Sequence, residues 1–222
     1  MKPTPNIFQQ SLAEFVGTFA YVFAGTGTIA AGASRGGEIS WPAVAVAFGA
    51  TAAVMTVALG VVSQAHFNPA VTLARWVAGA VATPRVLAYV FAQLAGAVAA
   101  SAVLFWCFGR SVPLGATLPL DDQWQRAFVI EVVITFVMML AVLAGARSPL
   151  GPLGVGLAVA AGTVSMGPIT GASMNPARSL GPAVVAGAWQ HHWLYWVAPI
   201  LGAQLATGAW RIFQTDSGEG QP

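Results

Sequence analysis

The sequence predicts an all-α membrane protein with six transmembrane helices and two re-entrant half-helices, arranged as an inverted repeat. Composition is the first observation, because 57% of the 222 residues are hydrophobic and only 7% are charged, whereas a soluble domain carries about 25% charged residues. The second is a series of apolar stretches whose length is close to the ~20 residues that a helix needs to cross a bilayer. The third is a sequence pattern that occurs once in each half of the chain.

Six apolar stretches are long enough to span a membrane, and they are predicted at 8–32, 41–62, 84–108, 125–146, 150–168 and 191–213. The first could be confused with a cleaved signal peptide, because Lys2 and the run Ala31-Gly32-Ala33 resemble the two ends of one. This stretch is too long for a signal peptide, however, and its pattern around Glu14 recurs in the fourth stretch. We therefore expect it to remain as the first transmembrane helix.

Two further apolar stretches, 68–79 and 175–186, are too short to cross the bilayer. Each begins with Asn-Pro-Ala, in which asparagine is a favoured N-cap and proline suits the first position of a helix. Both are therefore predicted to be half-helices that enter the membrane without crossing it. The two tripeptides comprise Asn68, Pro69 and Ala70 in the first half and Asn175, Pro176 and Ala177 in the second.

The two halves of the chain share more than this tripeptide. Gly49 and Gly156 lie equally far before their asparagines, and Glu14 and Glu131 are each followed by threonine and phenylalanine at the same spacing. Each half then holds three spans and one half-helix, and this odd number of crossings makes the second half start on the opposite side. We expect a single transmembrane domain over 1–222, with inverted repeats at about 8–108 and 125–213.

An inverted arrangement brings the N-termini of the two half-helices together near the middle of the membrane. Loops 63–67 and 169–174 then lie at membrane depth, where irregular backbone is tolerated only inside protein or along a water-filled path. The two helix N-termini carry partial positive charge and oppose the passage of cations, and of protons along a chain of water. The domain is therefore predicted to be a passive channel for water and small neutral solutes that excludes ions and protons.

Arg178 is the residue of the second half-helix whose position most needs a physical explanation. It lies three positions after Asn175, where the helix dipole disfavours a cation and membrane depth adds a further cost. A position beside an aqueous pore would offset both of these energetic costs. The alternatives are an arginine whose side chain reaches the membrane surface, or one that pairs with a buried acid.

Glu14 and Glu131 are the only acidic residues within the predicted spans. A carboxylate inside a membrane is a functional candidate by default, and a proton pump would use such groups. Each of these two, however, has a threonine on the same helical face and occupies the same place in its repeat. We expect them to accept hydrogen bonds from the backbone of the re-entrant loops.

Other classes of function find little support in the sequence. The net charge of +2 comes from scattered residues, so no surface for nucleic acid is expected. No catalytic or cofactor-binding motif is evident, so we expect neither enzyme activity nor a cofactor. His191 and His192 lack a third ligand, so no metal site is predicted, and a lone Cys107 excludes an internal disulfide. A secondary transporter also uses inverted repeats and is the alternative from another class, but few ionisable groups are available to couple an ion gradient.

With the segments "AEFVGTF", "AHFNPAVT" and "GASMNPARSLGPA", nearly the whole chain resembles the aquaporin (major intrinsic protein) family. The resemblance implies an aquaporin-like fold and a homotetramer in the lipid bilayer, with a pore in each subunit. It also implies a constriction near the outer face that contains an aromatic residue and an arginine. In this sequence the four constriction positions are Phe48, Thr163, Ala172 and Arg178.

The constriction residues resemble those of water channels only in part. Phe48 and Arg178 agree with that type, whereas strictly water-selective members usually have histidine in place of Thr163, which implies a wider constriction here. Ser179 and Ala183 stand where glycerol facilitators have an acidic and a basic residue. The segment "GASMNPARSLGPAVV" also resembles the nodulin-26-like branch. Glycerol, ammonia or metalloid acids are therefore the alternative substrates to water.

The first re-entrant loop departs from the family at one position, because it reads "SQAH" where "SGAH" is common. Gln64 lacks the access to positive φ that glycine has, so this exchange bears on the conformation of the loop. His66 is expected to tie down this loop, to line the pore, or to do both.

The resemblance further implies that both termini are cytoplasmic, in a plasma (cell inner) membrane. The distribution of basic residues agrees modestly with the positive-inside rule. The predicted cytoplasmic side holds Lys2, Arg75, Arg85, Arg147 and Arg211, and the outer side holds Arg35, Arg110 and Arg126.

Overall fold

The computed structural model describes residues 4–109, 112–146 and 148–215. In these ranges the chain forms eight α-helices and one short 3-10 turn, Leu120–Asp122. The helices are α1 (Ile7–Ser34), α2 (Trp41–Ser63), α3 (Pro69–Val77), α4 (Thr83–Phe108), α5 (Trp124–Gly145), α6 (Gly151–Thr170), α7 (Pro176–Ala186) and α8 (Leu194–Thr215). Lys2, Arg110 and Arg147, which entered the prediction of orientation, lie outside the described residues.

The prediction of an all-α membrane protein is confirmed. Helices α1, α2, α4, α5 and α6 are long and apolar enough to cross a membrane. Helix α8 has 22 residues, as many as α5, and occupies the place of the sixth predicted span. It begins at Leu194 rather than at 191, because residues 190–193 form turns and His191 has a left-handed backbone with φ of 51°.

The helices begin and end where local rules allow. Asn6 caps α1 in a reciprocal capping box with Gln9. Gly171 ends α6 and Gly187 ends α7 in the left-handed conformation that glycine adopts without strain. These two stops separate α7 from its neighbours and leave it as a short helix between two loops.

Glycines let the long helices approach to backbone contact. Gly49 in α2 faces Gly156 in α6, where an added Cβ on Gly49 would lie 2.6 Å from the carbonyl oxygen of Gly156. Gly96 brings α4 onto α1 and Gly202 brings α8 onto α5, each against a backbone carbonyl. Close approach through small residues is a common way to pack helices in membranes, where lipid supplies no hydrophobic force between them. The two halves of the chain therefore pack with matching contacts.

The polarity of the helix bundle runs from apolar outside to polar inside. Phe91 and Trp106 expose 76% and 85% of their surface, as residues that face lipid can. Asn68, Asn175 and Arg178 are at most 4% exposed. The polar chemistry of this protein is therefore concentrated along the centre of the bundle.

Candidate functional site

The two half-helices α3 and α7 begin with the same cap. Asn68 and Asn175 have extended backbones, with φ of −156° and −155°. Each side-chain oxygen accepts a hydrogen bond at 2.9 Å from the amide two residues later, that of Ala70 or Ala177. Both first positions are proline, which has no amide proton to satisfy. Two capped helix N-termini are thus buried at the centre of the bundle.

The side-chain amides of the two asparagines connect the two halves of the chain. Asn68 Nδ2 donates to the carbonyl of Met174 at 2.8 Å, and Asn175 Nδ2 donates to the carbonyl of Phe67 at 2.9 Å. Phe67 and Met174 have left-handed backbones, with φ of 49° and 52°, a conformation that is strained for residues other than glycine. Each asparagine therefore stabilises the strained residue that ends the opposite loop.

Glu14 lies behind the first re-entrant loop and accepts four hydrogen bonds. Its Oε1 accepts from the hydroxyl of Ser63 at 2.6 Å and from the amide of His66 at 3.0 Å. Its Oε2 accepts from the amide of Phe67 at 2.6 Å and from Gln93 Nε2 at 2.8 Å. In this arrangement all four partners act as donors, which suits an ionised carboxylate.

Glu131 binds the second re-entrant loop in the same way. Its Oε1 accepts from the hydroxyl of Thr170 and from the amide of Ser173, both at 2.8 Å. Its Oε2 accepts from the amide of Met174 at 2.9 Å. Both buried carboxylates thus accept hydrogen bonds from the backbone of the re-entrant loops.

Two buried tyrosines, to which the sequence analysis assigned no place at the site, tie down the ends of α2 and α6. Tyr89 donates its hydroxyl proton to the carbonyl of Ser63, and Tyr195 donates to the carbonyl of Thr170, both at 2.9 Å. The tyrosines lie equally far before the paired segments "AQLAGA" and "APILGA". This match within the repeat is the signal that could have identified them.

His66 contributes both to the loop and to the space beside it. Its Nδ1 lies 3.0 Å from Thr72 Oγ1, whose own proton goes to the carbonyl of Asn68 at 3.1 Å. With the Thr72 proton on the Asn68 carbonyl, Nδ1 carries the ring proton and donates to Thr72. Nε2 is buried without a hydrogen-bond partner among the described residues, and His66 lines a cavity of about 690 Å³. The ring therefore holds the loop and also forms part of the wall of that cavity.

Arg178 is almost completely buried, with 1% of its surface exposed. Its guanidinium donates to the carbonyls of Gly115 at 2.5 Å and Gly171 at 3.3 Å. Its Cζ lies 4.9 Å from the centre of the Phe48 ring, within the range of a cation–π contact. Its Nε has no hydrogen-bond partner among the described residues. Backbone carbonyls rather than an acid therefore bind this arginine, and it does not reach the membrane surface.

Thr163 and Ala172 are the other two residues of the expected constriction. Both are buried, and Ala172 directly follows Gly171, whose carbonyl binds Arg178. Ala172 has a left-handed backbone with φ of 44°. Thr163 lies within α6, and its hydroxyl oxygen has no hydrogen-bond partner in the described part of the chain. Thr163 Oγ1 and Arg178 Nε thus join His66 Nε2 among the buried polar atoms that have no hydrogen-bond partner in the described residues.

Two cavities enter the bundle from opposite ends. The larger, of about 690 Å³, is lined by the last turns of α2 and by Asn68 and Asn175. The smaller, of about 480 Å³, is lined by Trp41 at the start of α2 and by Arg178. Because α2 runs from one cavity to the other, the cavities lie at opposite ends of this membrane-spanning helix. Phe48 lies on α2 between these two ends and lines neither cavity.

Gln64 ends α2 in the left-handed conformation, with φ of 70° and ψ of 8°. The loop therefore keeps a backbone that favours glycine although glycine is absent. The side chain of Gln64 accepts a hydrogen bond from Arg75 Nη2 at 2.9 Å, and both residues line the larger cavity. This contact ties the loop to the last turn of α3, which glycine could not do.

Gln64→Gly is expected to be more stable than Gln64→Ala by about 1 kcal/mol. Both variants lose the bond to Arg75, but only glycine relieves the left-handed backbone. Thermal unfolding of the two purified variants in the same detergent measures the difference. Equal melting temperatures would mean that the loop does not hold this position at positive φ.

His191, His192 and Cys107 line neither cavity. His191 Nε2 lies 2.6 Å from Asp122 Oδ1, and His192 Nε2 accepts from Trp196 Nε1 at 3.2 Å. Burial lowers the pKa of His192 below its ordinary value. Cys107 is exposed. Within the ranges that the structure describes, no three potential metal ligands come together.

Comparison of the sequence with known proteins identifies relatives over most of its length. A sequence model of the family "Major intrinsic protein" matches residues 2–210. Aquaporin NIP1-4 from Oryza sativa subsp. japonica is 45% identical over 211 residues, which cover 92% of this chain and 76% of the relative. Aquaporin NIP1-1 from Zea mays is 41% identical over 208 residues, covering 91% and 73%. Aquaporin TIP4-4 from Zea mays is 44% identical over 208 residues, covering 88% and 82%.

A solved structure has the same fold. The aquaglyceroporin from Plasmodium falciparum matches this chain with a TM-score of 0.84 over 92% of this chain and 96% of that one, at 22% sequence identity. The fold, the match of the family model to nearly the whole chain and relatives at about 40% identity agree with one another. This chain therefore belongs to the major intrinsic protein family, the aquaporins, and is a membrane channel rather than an enzyme.

Proposed function

We propose that this channel conducts water, through a pore that runs between the two cavities in each subunit, and that it excludes ions and protons. The observation that carries the proposal is the centre of the bundle, where Asn68 and Asn175 border one cavity and Arg178 borders the other. These polar side chains are buried yet keep hydrogen-bonding capacity that the described protein does not use. A path for water accounts for such groups at membrane depth.

The paired asparagines explain how water passes while protons do not. Each side-chain amide uses one N–H on the opposite loop and keeps a second N–H for a passing molecule. A water that accepts from these amides can only donate outward, away from the pair, so the chain of hydrogen bonds needed for proton transfer is interrupted. The partial positive charges of the two helix N-termini add a barrier to cations.

The constriction is proposed to consist of Phe48, Thr163, Ala172 and Arg178. The guanidinium against the Phe48 ring supplies donors and positive charge on one side. Thr163 supplies a hydroxyl that has no hydrogen-bond partner among the described residues. Water can replace its lost hydrogen bonds at these atoms, whereas a cation meets a fixed positive charge.

A channel that also conducts glycerol, ammonia or metalloid acids is the second candidate. Thr163 favours it, because threonine is smaller than the histidine of strictly water-selective relatives and leaves more room beside Arg178. The two candidates therefore differ only in the width and polarity of the same pore.

Substitution of Thr163 by histidine distinguishes the two candidates. If the wild type conducts glycerol, Thr163→His is expected to lower glycerol permeability by about tenfold, since a barrier raised by ~1.4 kcal/mol has that effect. Water permeability is expected to change much less. The measurement is stopped-flow light scattering on proteoliposomes, with shrinkage in an impermeant osmolyte for water and reswelling for glycerol.

Thr207→Val provides the control for altered packing, because Thr207 is buried in α8 and bonds only within its own helix at Ala203. Fast water flux without glycerol reswelling in the wild type would favour the water channel. Reswelling that Thr163→His leaves intact would place the width-determining residue elsewhere. Saturable uptake that follows an ion gradient would instead point to a transporter.

The setting of the channel is proposed from its family and its charges. The larger cavity is assigned to the cytoplasmic side together with both termini, because Arg75 lines it and Arg211 binds the carbonyl of Val77 beside it. The smaller cavity then faces outward, in a plasma (cell inner) membrane. We propose a homotetramer, which native mass spectrometry of the detergent-solubilised protein would test.

A further inference from the structure

Three buried hydroxyls form a chain between the segment before α5 and the start of α7. Thr117 Oγ1 donates to Ser179 Oγ at 2.8 Å, and the hydroxyls of Ser179 and Ser173 lie 2.6 Å apart. Ser173 Oγ donates to the carbonyl of Asn175 at 3.0 Å. All three side chains are at most 2% exposed. This series of hydrogen-bonded hydroxyls thus begins in segment 112–118, which has no regular secondary structure, and ends at Asn175.

One direction of hydrogen bonding is consistent along all three hydroxyls. A hydroxyl donates one hydrogen bond. With the Ser173 proton on the Asn175 carbonyl, Ser179 donates to Ser173 and Thr117 donates to Ser179. Hydrogen bonds aligned in one direction strengthen one another in a medium of low dielectric constant. The three hydroxyls therefore act as a unit, and loss of one weakens the rest.

Thr117 also contacts the groups that hold Arg178. It lies two residues after Gly115, whose carbonyl accepts from Arg178. Its side chain packs on Gly171, where an added Cβ would lie 2.9 Å from Thr117 Cγ2, and the Gly171 carbonyl also accepts from Arg178. Since no helix or sheet orders segment 112–118, the position of the Gly115 carbonyl depends on side-chain contacts of this kind.

We propose that Thr117, Ser179 and Ser173 are positioning residues that set the selectivity of the constriction by holding the Gly115 carbonyl against Arg178. None of the three lines either cavity, so they act through Arg178 and not on the solute. When one hydrogen bond of this series is lost, segment 112–118 becomes more mobile and Arg178 loses a fixed partner. The constriction then admits wider solutes. This inference rests on the proposed role of Arg178 in the constriction.

Thr117→Val tests the proposal, because valine keeps the shape of threonine and removes the hydroxyl. We expect the ratio of glycerol to water permeability in proteoliposomes to rise about fivefold, the change that loss of one neutral hydrogen bond brings. Thr117→Ser restores the hydroxyl and is expected to return the ratio to the wild-type value. The ratio is used because it does not depend on the amount of protein reconstituted.

A second variant and a control separate positioning from general loss of structure. Ser179→Ala breaks the same chain in the middle and is expected to raise the ratio equally, so it carries the test if Thr117→Val does not fold. Thr207→Val removes a buried hydroxyl that bonds only to Ala203 in its own helix, and it is expected to keep the wild-type ratio.

The outcomes distinguish this inference from the proposed pore. A wild-type ratio in Thr117→Val and Ser179→Ala, while Arg178→Ala raises it, would overturn the positioning role and leave the pore intact. An unchanged ratio in Arg178→Ala as well would mean that the constriction itself is misplaced. A ratio that stays as high in Thr117→Ser as in Thr117→Val would show that the hydroxyl is not responsible, which also overturns the proposal.

Discussion

Replacing Arg178 with alanine is expected to raise the permeability to glycerol, relative to water, by at least about tenfold, the effect of a barrier lowered by ~1.4 kcal/mol. The guanidinium lies between the carbonyls of Gly115 and Gly171 and against the face of Phe48. Alanine removes this bulk and also the fixed positive charge. We therefore expect a measurable leak of cations in addition to the wider range of neutral solutes.

The measurement compares stopped-flow reswelling in solutes of increasing size with the decay of an imposed potassium gradient. Arg126→Ala is the matched control, because Arg126 is an exposed arginine that donates to a backbone carbonyl, that of Leu120, at 3.2 Å. It is expected to behave as the wild type. An Arg178→Ala channel with the solute profile of the wild type would refute the assignment of the constriction.

Glu131→Gln is expected to destabilise the protein by roughly 3 kcal/mol, because an amide cannot accept on both sides. In the wild type, one carboxylate oxygen accepts from Thr170 and Ser173 and the other from Met174. The amide nitrogen of glutamine would face at least one of these donors. The second loop would then lose its anchor, and water flux through the folded fraction is expected to fall with it.

Thermal unfolding in detergent measures this effect, and a loss of that size corresponds to a drop of about 10 °C in melting temperature for a chain of this length. Glu38→Gln makes the same change at an exposed glutamate and is expected to leave the melting temperature unchanged. A Glu131→Gln protein as stable as the wild type would show that the carboxylate is not needed as a double acceptor. It would reopen the possibility that Glu131 carries a proton.

Much of the fold could be predicted because its signals are local. Apolar length indicates spans, and the asparagine cap followed by proline indicates where a short helix begins. The structure starts α3 at Pro69 and α7 at Pro176, directly after Asn68 and Asn175. The start of α8 was less accurate, since the turns at residues 190–193 have no clear signal in a segment rich in aromatic residues.

The contacts of the site were less accessible to sequence reasoning, because they join residues that are far apart along the chain. Gly115 binds Arg178 from a segment that is neither periodic nor part of the repeat. The bond from Gln93 to Glu14 has no counterpart in the second half, where Pro199 stands at the matching place in "APILGA". Comparison of the two halves could reveal symmetric partners but not these.

The sequence by itself determined the membrane residence of this protein, its helices and the duplicated half-helices, because apolar length, caps and spacing are properties of neighbouring residues. Only the tertiary structure decided which atoms meet. Asn68 and Asn175 bind each other's loops, and Arg178 finds carbonyls rather than an acid. Such contacts depend on how whole helices cross and on where an irregular segment comes to rest, and both are set by packing over the entire bundle.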